Sequence, residues 1–456
     1  MPGLPEKLVK EILPKGKLYE VGGAVRDFLL SGKETEEKDY LVTGIPLEEL
    51  TALLKPHGKV DLVGKSFGVI KFTPFSKSER TTYDIALPRK EYSTGPGHRD
   101  FEVQFDHTLK VEDDLARRDF TINAIAKEVA TGKLLDPFHG QSDLKKKIIR
   151  QVFPEAFLED PLRMLRAVQF AARFEFKIEP ETLEALKRNA HLITSVSPER
   201  IQDELSKLLS KADKPSIGFR LMQKSGLLLH ILPELEACVG VDQPGGWHKY
   251  DVFEHTLLTI DHCPKNLIIR LAALFHDINK PQTRVLVGDG ATFYGHEIIG
   301  ARTAEKIMSR LRYSNEIMNT VHLLVEKHMF TTNVTDKGLR RLIKKAEGRI
   351  FDLLELRKAD IIAQGRGDAG VREIEEFEKL VREEIARKPP FGLQDLKVDG
   401  NIIMEKFKLS PGPAIGKVLN HLLEKVLDDP DFNQEDLLLQ EAQAYLQSQK
   451  LNSQGA

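Results

Sequence analysis

At about Glu159 the apolar pattern of this chain changes period. Up to that point, short runs rich in β-branched and aromatic residues alternate with helical ones. LYEV (18–21) reads as a strand, Gly22-Gly23 as a turn and AVRDFLL as a helix; DYLVTG, VDLVG with GVIKF, and TYDIAL read as further strands. Beyond it, EDPLRMLRAVQFAARF, PETLEALKR, ERIQDELSKLLS and SIGFRLMQKSGLLLHIL all carry the three-and-four spacing of helices. Strands first and helices afterwards predict an α+β chain in which a sheet-bearing head precedes an all-α remainder.

The helical part is itself divided. VGVDQPGGW (239–247) is a Pro/Gly break, and the stretch after it is rich in histidine. The amphipathic VREIEEFEKLVREEIARK then leads to a Pro-Pro break and an acidic end, closing on SQKLNSQGA, which is expected to fray. A length of 456 residues calls for several domains. The expected division is a head over 1–150, a helical neck and body over 151–238, a histidine-bearing domain over 246–370 and a helical tail over 371–456.

Composition excludes several classes. Hydrophobic residues make up 41%, too many for a disordered chain. A net charge of -2 excludes a protein that coats nucleic acid by bulk charge. It leaves room for local basic stripes at LKKKIIR (144–150) and KGLRRLIKK (337–345), each of which reads equally well as a solvated helix face. Two cysteines, Cys238 and Cys263, exclude a disulfide scaffold and a structural thiolate zinc site. No apolar run approaches a membrane span and the N-terminus does not read as a signal peptide, so a soluble cytoplasmic protein is expected.

Three features of the head carry chemistry. Gly22-Gly23 lies between a strand and a helix whose first turn holds Arg26; amides at such a turn form an anion cradle, and an arginine adds a charged fork. Glu37 and Asp39, two apart at the start of DYLVTG, fall on one face of a strand, and Asp84 in TYDIAL is placed to join them from a neighbouring strand. Clustered carboxylates suit Mg²⁺, although ETEEKD is also a charge run of the kind that forms a solvated loop. In LARRDFTINAIA (115–126), Asp119 either caps an apolar helix or, with Arg117 and Arg118, meets phosphate and ribose.

EVGGAVRDFLL, the acidic pair before DYLVTG, LARRDFTINAIA, LLDPFHG and EDPLRMLRA occur in this order, and SPERIQDEL (197–205) follows. Together they resemble the ordered motifs of the class II tRNA nucleotidyltransferases, the CCA-adding enzymes and their poly(A) polymerase relatives. That resemblance covers roughly residues 18–235. It implies a polymerase-β-like head followed by helical neck, body and tail, Mg²⁺ at the head, and CCA addition to tRNA from CTP and ATP without a nucleic-acid template. It further implies that Gly22, Gly23, Arg26, Arg117, Arg118, Asp119, Asn123 and Arg166 surround the nucleotide, and that Glu37, Asp39 and Asp84 are catalytic. One position departs from the pattern. The family carries Asp-x-Asp where this chain has Glu37-Lys38-Asp39. Glutamate still ligates Mg²⁺, but its extra methylene moves the oxygens, and misplacement on the ångström scale costs on the order of 100-fold in rate. The Gly/Pro-containing stretch 92–114 matches the position of the family's flexible loop and favours complete CCA or A addition over CC alone.

In EDPLRMLRAVQFAARF, Leu162, Leu165, Val168 and Ala172 form a core stripe, with Asp160, Arg163 and Arg166 on the opposite side. By spacing alone Asp160 and Arg163 are an exposed ion pair. The resemblance implies instead a base-reading pair. A carboxylate only accepts hydrogen bonds and a guanidinium only donates them. Cytosine and adenine both present a donor beside an acceptor, so one Asp–Arg pair serves both, while uracil and guanine present the reverse.

After residue 245 the order His255, His276-Asp277, His296, His328, Asp360 suggests a second metal centre, since imidazole and carboxylate suit transition metals. It resembles the HD phosphohydrolase domain, whose H…HD…D signature falls here on His255, His276, Asp277 and Asp360 as ligands of a divalent metal. Asn279 stands where that signature usually has glycine. Some bacterial CCA-adding enzymes carry such a domain, with phosphodiesterase or phosphatase activity on 2′,3′-cyclic ends, so trimming and rebuilding a 3′ end on one chain is coherent. The alternatives are a poly(A) polymerase or A-adding enzyme, and an RNA-binding module with an inactive head beside a working hydrolase.

Overall fold

The computed structural model describes residues 3–35, 38–63, 69–75, 81–93, 101–244, 249–288, 290–365, 368–387 and 389–454. The chain divides into two compact units, Met1–Glu236 and Ala237–Ala456, so the break falls just before the Pro/Gly segment.

The first unit is built on β1 (Lys17–Val21), β2 (Asp39–Thr43), β3 (Gly58–Val63), β4 (Val69–Pro74), β5 (Tyr83–Ala86), the hairpin β6 (Arg89–Ser93) and β7 (Phe101–Phe105), β8 (Ala126–Glu128) and β9 (Leu134–Leu135). Seven of these form one sheet in the order β3-β4-β5-β2-β1-β8-β9, while β6 and β7 pair separately. Neighbours in the large sheet run antiparallel except β2 and β5, which are parallel.

Alternation along the strands buries both faces. Leu18, Tyr40, Val42, Ile70, Phe72 and Ile85 pack beneath the helices Glu6–Ile12 and Leu47–Leu54 through Leu8, Ile12, Leu50 and Leu54. Tyr19, Val21 and Leu41 point the other way, onto Val111, Leu115, Ala124 and Ala126. The helical part of this unit centres on Leu162–Phe174, which packs against Pro198–Lys211 and Ser216–Ser225. Leu162, Leu165, Val168 and Ala172 are buried there.

Four local expectations are corrected. The apolar run after Asp119 is no helix: Thr121–Asn123 makes one 3-10 turn, and Ala126 then enters β8 opposite Val21. Ladder pairing with β1 outweighs a run too short to nucleate a helix. The loop expected over 92–114 contains the end of β6, the whole of β7 and the start of the helix Val111–Ala116, while residues 94–100 lie outside the described ones. SIGFRLMQKSGLLLHIL is broken at Gly226, which ends one helix at φ +82 before Leu227–Ile231 begins. Finally, Arg163 is buried rather than on a solvent face.

In the second unit, Val252–His262, Leu267–Phe275, His296–Arg310, Asn315–Lys327 and Ile350–Ala363 pack together, and Asp368–Ala386 lies along Ile350–Ala363. The tail helices Gly400–Phe407, Pro413–Asp428 and Glu435–Gln454 enclose their own core around Val398, Ile403, Val418, Leu422 and Leu438. The final helix runs into the segment expected to fray. Of the two basic stripes, Lys145, Lys146 and Lys147 are exposed. The other is largely consumed internally. Arg340 donates to the carbonyls of Leu427 and Asp428 at 2.6 and 3.0 Å and pairs with Glu384, while Arg341 and Lys344 both meet Glu424.

Candidate functional site

Gly22 ends β1 at φ +71, a conformation that a side chain rarely adopts. A Cβ there would also lie 2.8 Å from Nη1 of Arg118 and 3.7 Å from Oδ2 of Asp39, so glycine at this position lets the turn, the carboxylate and the guanidinium converge. Gly23 opens the helix Gly23–Ser31, whose free amides begin at this point. Asp39 opens β2 and stands opposite Asp84 on the parallel strand β5. Both share the sheet face of Leu41 and Val21, beneath which Asp114 binds Arg118 at 3.1 Å. Glu37 lies outside the described residues.

Arg26 lies beside Gly23, whose added Cβ would meet its Nη2 at 3.5 Å, and it also reaches the neck. Its guanidinium is buried between the rings of Phe170 and Phe174, at 5.0 and 4.8 Å, and donates to Asn123 Oδ1 at 2.7 Å and to Asp27. With Arg173 reaching Asp27 at 3.5 Å, it joins the glycine-turn helix to the neck helix.

The Arg-Arg-Asp segment is wired to that same helix. Asp119 accepts from the Phe120 amide, from Asn123 and from both Nε and Nη2 of Arg166 at 2.8 Å. Burial works against its charge, but Arg166 and Asn123 outweigh it and hold the carboxyl below its ordinary pKa. Arg166 reaches on to Glu204 at 3.4 Å. Asp160 and Arg163 do not form the exposed pair that spacing suggested. Arg163 donates to the carbonyls of Arg117 and Ala156 and to Glu159, whereas Asp160 meets Arg200 at 2.7 Å. Sequence reasoning noted SPERIQDEL but assigned none of its residues. Arg200 and Glu204, four apart on the helix Pro198–Lys211, each form an ion pair with the neck.

In the second unit the sequence-named His255, His276, Asp277 and Asp360 come together in a buried cluster. His255 Nε2 is 3.0 Å from Asp360 and 3.4 Å from Asp277; His276 Nε2 is 3.2 Å from Asp277. His296 and His328, noted in the sequence but left out of the ligand set, complete it. Asp277 therefore belongs to two overlapping groups with metal-ligand spacing, one with His255 and His276 and one with His296 and His328. The tautomers test the fit to a cation. Nδ1 of His276, His296 and His328 each meets a backbone carbonyl, of Ala273, Phe293 and Val325, and must carry the proton to do so. Nε2 of His296 and His328 thus turn lone pairs towards each other at 3.3 Å, an arrangement that a shared cation relieves. Burial and the neighbouring His276 push His328 down to about 3, so its imidazole is neutral and ready to ligate.

Lys280 and Arg357 flank the carboxylates, Lys280 at 2.7 Å from Asp277 and Arg357 at 2.7 Å from Asp360. The cluster opens into a cavity of 870 Å³ walled by Phe293 and the exposed Tyr294. Such a volume is ample for a nucleotide-sized ligand.

Comparison with known proteins agrees with this layout. Residues 18–150 match the family described as Poly A polymerase head domain, 175–239 that described as Probable RNA and SrmB-binding site of polymerase A, and 297–442 that described as tRNA nucleotidyltransferase domain 2. The last of these spans the boundary expected at residue 370. The Multifunctional CCA protein of Shewanella frigidimarina is 37% identical over 337 residues, 72% of this chain and 77% of that protein. Its Burkholderia pseudomallei counterpart is 36% identical over 371 residues, 77% and 85% of the two chains. Among solved structures, the Bacillus stearothermophilus CCA-adding enzyme in complex with CTP covers 97% of each chain at 21% identity with a TM-score of 0.71. The Thermotoga maritima CCA-adding enzyme complexed with tRNA-CCA covers 96% and 93% at 21% identity, with a TM-score of 0.55. Among the described residues no helix is long and apolar enough to cross a membrane. On identity and coverage with these relatives, the chain belongs to the family of the multifunctional CCA proteins.

Proposed function

We propose that this protein adds CCA to the 3′ ends of tRNA from CTP and ATP, without a nucleic-acid template. The observation that carries the reading is Asp39 and Asp84 side by side on parallel strands next to a glycine turn that only Gly22 can make. The relatives named for CCA addition support it across most of the chain.

Asp39 and Asp84, with Glu37, would hold Mg²⁺, which when bound neutralises a triphosphate and activates an attacking hydroxyl. The amides of the Gly22-Gly23 turn cradle phosphate oxygens, with Arg118 alongside as a charged donor. Asp160 accepts from the exocyclic amine of cytosine or adenine, and Arg163 donates to the adjoining ring nitrogen. To do so Arg163 exchanges one of its present carbonyl partners for the base. Arg117 offers a carbonyl to Arg163, while Asp119 and Asn123 hold Arg166 and Arg26, so these residues and Arg166 position the pocket. Arg163→Ala is expected to lose CTP/ATP selectivity while the fold survives; retained rejection of UTP and GTP would remove the base-reading role.

The histidine cluster supports a second activity, hydrolysis of a phosphate ester such as a 2′,3′-cyclic 3′ end. A divalent metal between His255, His276, Asp277 and Asp360, and another between Asp277, His296 and His328, would supply an activated water. Lys280 and Arg357 are placed to receive the phosphate. If His276→Ala keeps full metal-dependent phosphodiesterase activity, hydrolysis takes place elsewhere.

Two other readings are separated by one assay. Incubation of tRNA lacking CCA with labelled CTP and ATP yields three added nucleotides for the proposed function and a long A tail for a poly(A) polymerase. No incorporation at all, with hydrolysis retained, identifies an RNA-binding module with an inactive head. Repeating the assay with Glu37→Asp measures what the departure from Asp-x-Asp costs.

A further inference from the structure

Lys38 lies between the two residues of the acidic pair, and its surroundings in the structure point to a task of its own. It precedes β2 and points to the sheet face opposite Asp39. Its side chain is buried, with Nζ 2.6 Å from Glu20 and bonded also to Glu34. Lys127 on β8 stands opposite Glu20 in the ladder and reaches the same two carboxylates, Glu34 at 3.2 Å and Glu20 at 3.6 Å. Two lysines and two glutamates thus form one neutral cluster, buried at Lys38 and open to a surface cavity at Glu34.

The position of this cluster matters more than its strength. Glu20 is two residues before Gly22, and Lys38 is one residue before Asp39. Within the β1–β2 ladder Val21 pairs with Asp39 and Glu20 with Tyr40, so the last ladder rung ends at Asp39 itself. Among the described residues the β1–β2 ladder stops at that rung, and the Lys38–Glu20 contact lies just past it. A lysine buried as Lys38 is costs free energy unless its charge is paired, so removing its carboxylate partners leaves it uncompensated. Lys38 and Asp39 are consecutive and joined by a planar peptide of fixed length, so a shift of Lys38 moves Asp39 with it.

We propose that Lys38 is a positioning residue for nucleotidyl transfer: by clamping the segment before β2 to Glu20 and Glu34, it fixes the Asp39 carboxylate relative to the Gly22 turn and to Asp84. The inference rests on the proposed metal role of Asp39, and it assigns a function to the middle residue of Glu37-Lys38-Asp39. Lysine at this position is a structural pin on the sheet face opposite Asp39, acting through the backbone it holds.

The test compares Lys38→Met, which keeps the length and removes the charge, with Lys38→Arg, which keeps the charge. Nucleotide incorporation is titrated with Mg²⁺. Separately, Mn²⁺ binding to the full-length chain is followed by electron paramagnetic resonance in an Asp277→Asn background, which removes the shared ligand of the histidine cluster. Lys38→Met is expected to raise the Mg²⁺ midpoint and weaken head Mn²⁺ binding at least fivefold, with the KM for tRNA unchanged. Lys38→Arg is expected to restore both to within about threefold, since a guanidinium can bridge two carboxylates. An unchanged Mg²⁺ midpoint and unchanged Mn²⁺ binding in Lys38→Met overturn the proposal, as does a Lys38→Arg as impaired as Lys38→Met. Should Lys38→Met fail to fold by circular dichroism, Glu34→Gln, which removes one exposed-side partner, carries the same comparison: a shifted midpoint supports the clamp and an unshifted one rejects it. A wild-type protein that incorporates no nucleotide sinks the proposed reaction, while the Mn²⁺ comparison still judges Lys38 by itself.

Discussion

Asp39 and Asp84 are direct partners across β2 and β5, the one parallel pair in the seven-stranded sheet of the described residues. Parallel pairing brings two carboxylates from strands far apart in sequence to the same end of the sheet and the same face, beside Gly22. Replacing either by asparagine keeps the shape and removes a charge. Each single variant is expected to lose on the order of 100-fold or more in CTP incorporation, with melting temperature nearly unchanged. Steady-state incorporation with a parallel thermal melt measures both, and a variant that keeps wild-type rates removes that carboxylate from the reaction.

Arg26 ties the glycine-turn helix to the neck, with one guanidinium nitrogen still close to Gly23. Truncation to alanine removes two guanidinium–ring contacts and a buried hydrogen bond, together worth about 2–4 kcal/mol. Denaturant unfolding of Arg26→Ala should show a loss of that size, and Arg26→Lys should recover little of it because a guanidinium stacks where an ammonium does not. A variant of unchanged stability with a raised KM for nucleotide would place Arg26 on phosphate instead.

Asp39 and Arg26 mark what the sequence could and could not say. The strand–turn–helix run and the carboxylate spacing were legible because period-two alternation and a glycine turn are local signals, and the pairing of Asp39 with Asp84 follows once the strands exist. Arg26, Arg163 and Asp119 were harder. Their partners lie far away in the chain: Phe170 and Phe174 for Arg26, Arg117 for Arg163, Arg166 for Asp119. An arginine near a glycine turn looks the same in sequence whether it faces phosphate or is stacked between rings. His296 and His328 illustrate the same limit. Their order was visible, but only the carbonyl bonds at Nδ1 show which nitrogen is left to ligate.

The Asp119–Arg166 contact makes a signed prediction about pH. The folded pKa of Asp119 is held below its ordinary value of 3.8, so its contribution is present above that value and is lost as pH falls through the depressed folded pKa. Stability of the wild-type protein should therefore fall as pH drops below about 4, partly through this group. Asp119→Asn should be less stable at neutral pH and lose less on acidification. Denaturant midpoints collected across that range decide it; parallel curves for the two proteins would mean that Asp119 carries no linked proton.

The histidine cluster predicts a metal stoichiometry. Because Asp277 is shared between two ligand groups, His296→Ala should bind one divalent cation fewer than the wild type, whereas Asp277→Asn should weaken both sites. Elemental analysis of dialysed protein after Mn²⁺ or Ni²⁺ loading reads the count. Equal metal content in wild type and His296→Ala would restrict the centre to His255, His276, Asp277 and Asp360.

CCA addition itself is decided by extending a tRNA that lacks its last three nucleotides with purified protein, CTP, ATP and Mg²⁺, and sizing the product at single-nucleotide resolution. The expected outcome is addition of C, C and A in that order, termination after three residues, no incorporation of UTP or GTP, and loss of all product in Asp39→Asn. A long adenylate tail, or no extension by a protein that still hydrolyses phosphate esters at its histidine cluster, would contradict it.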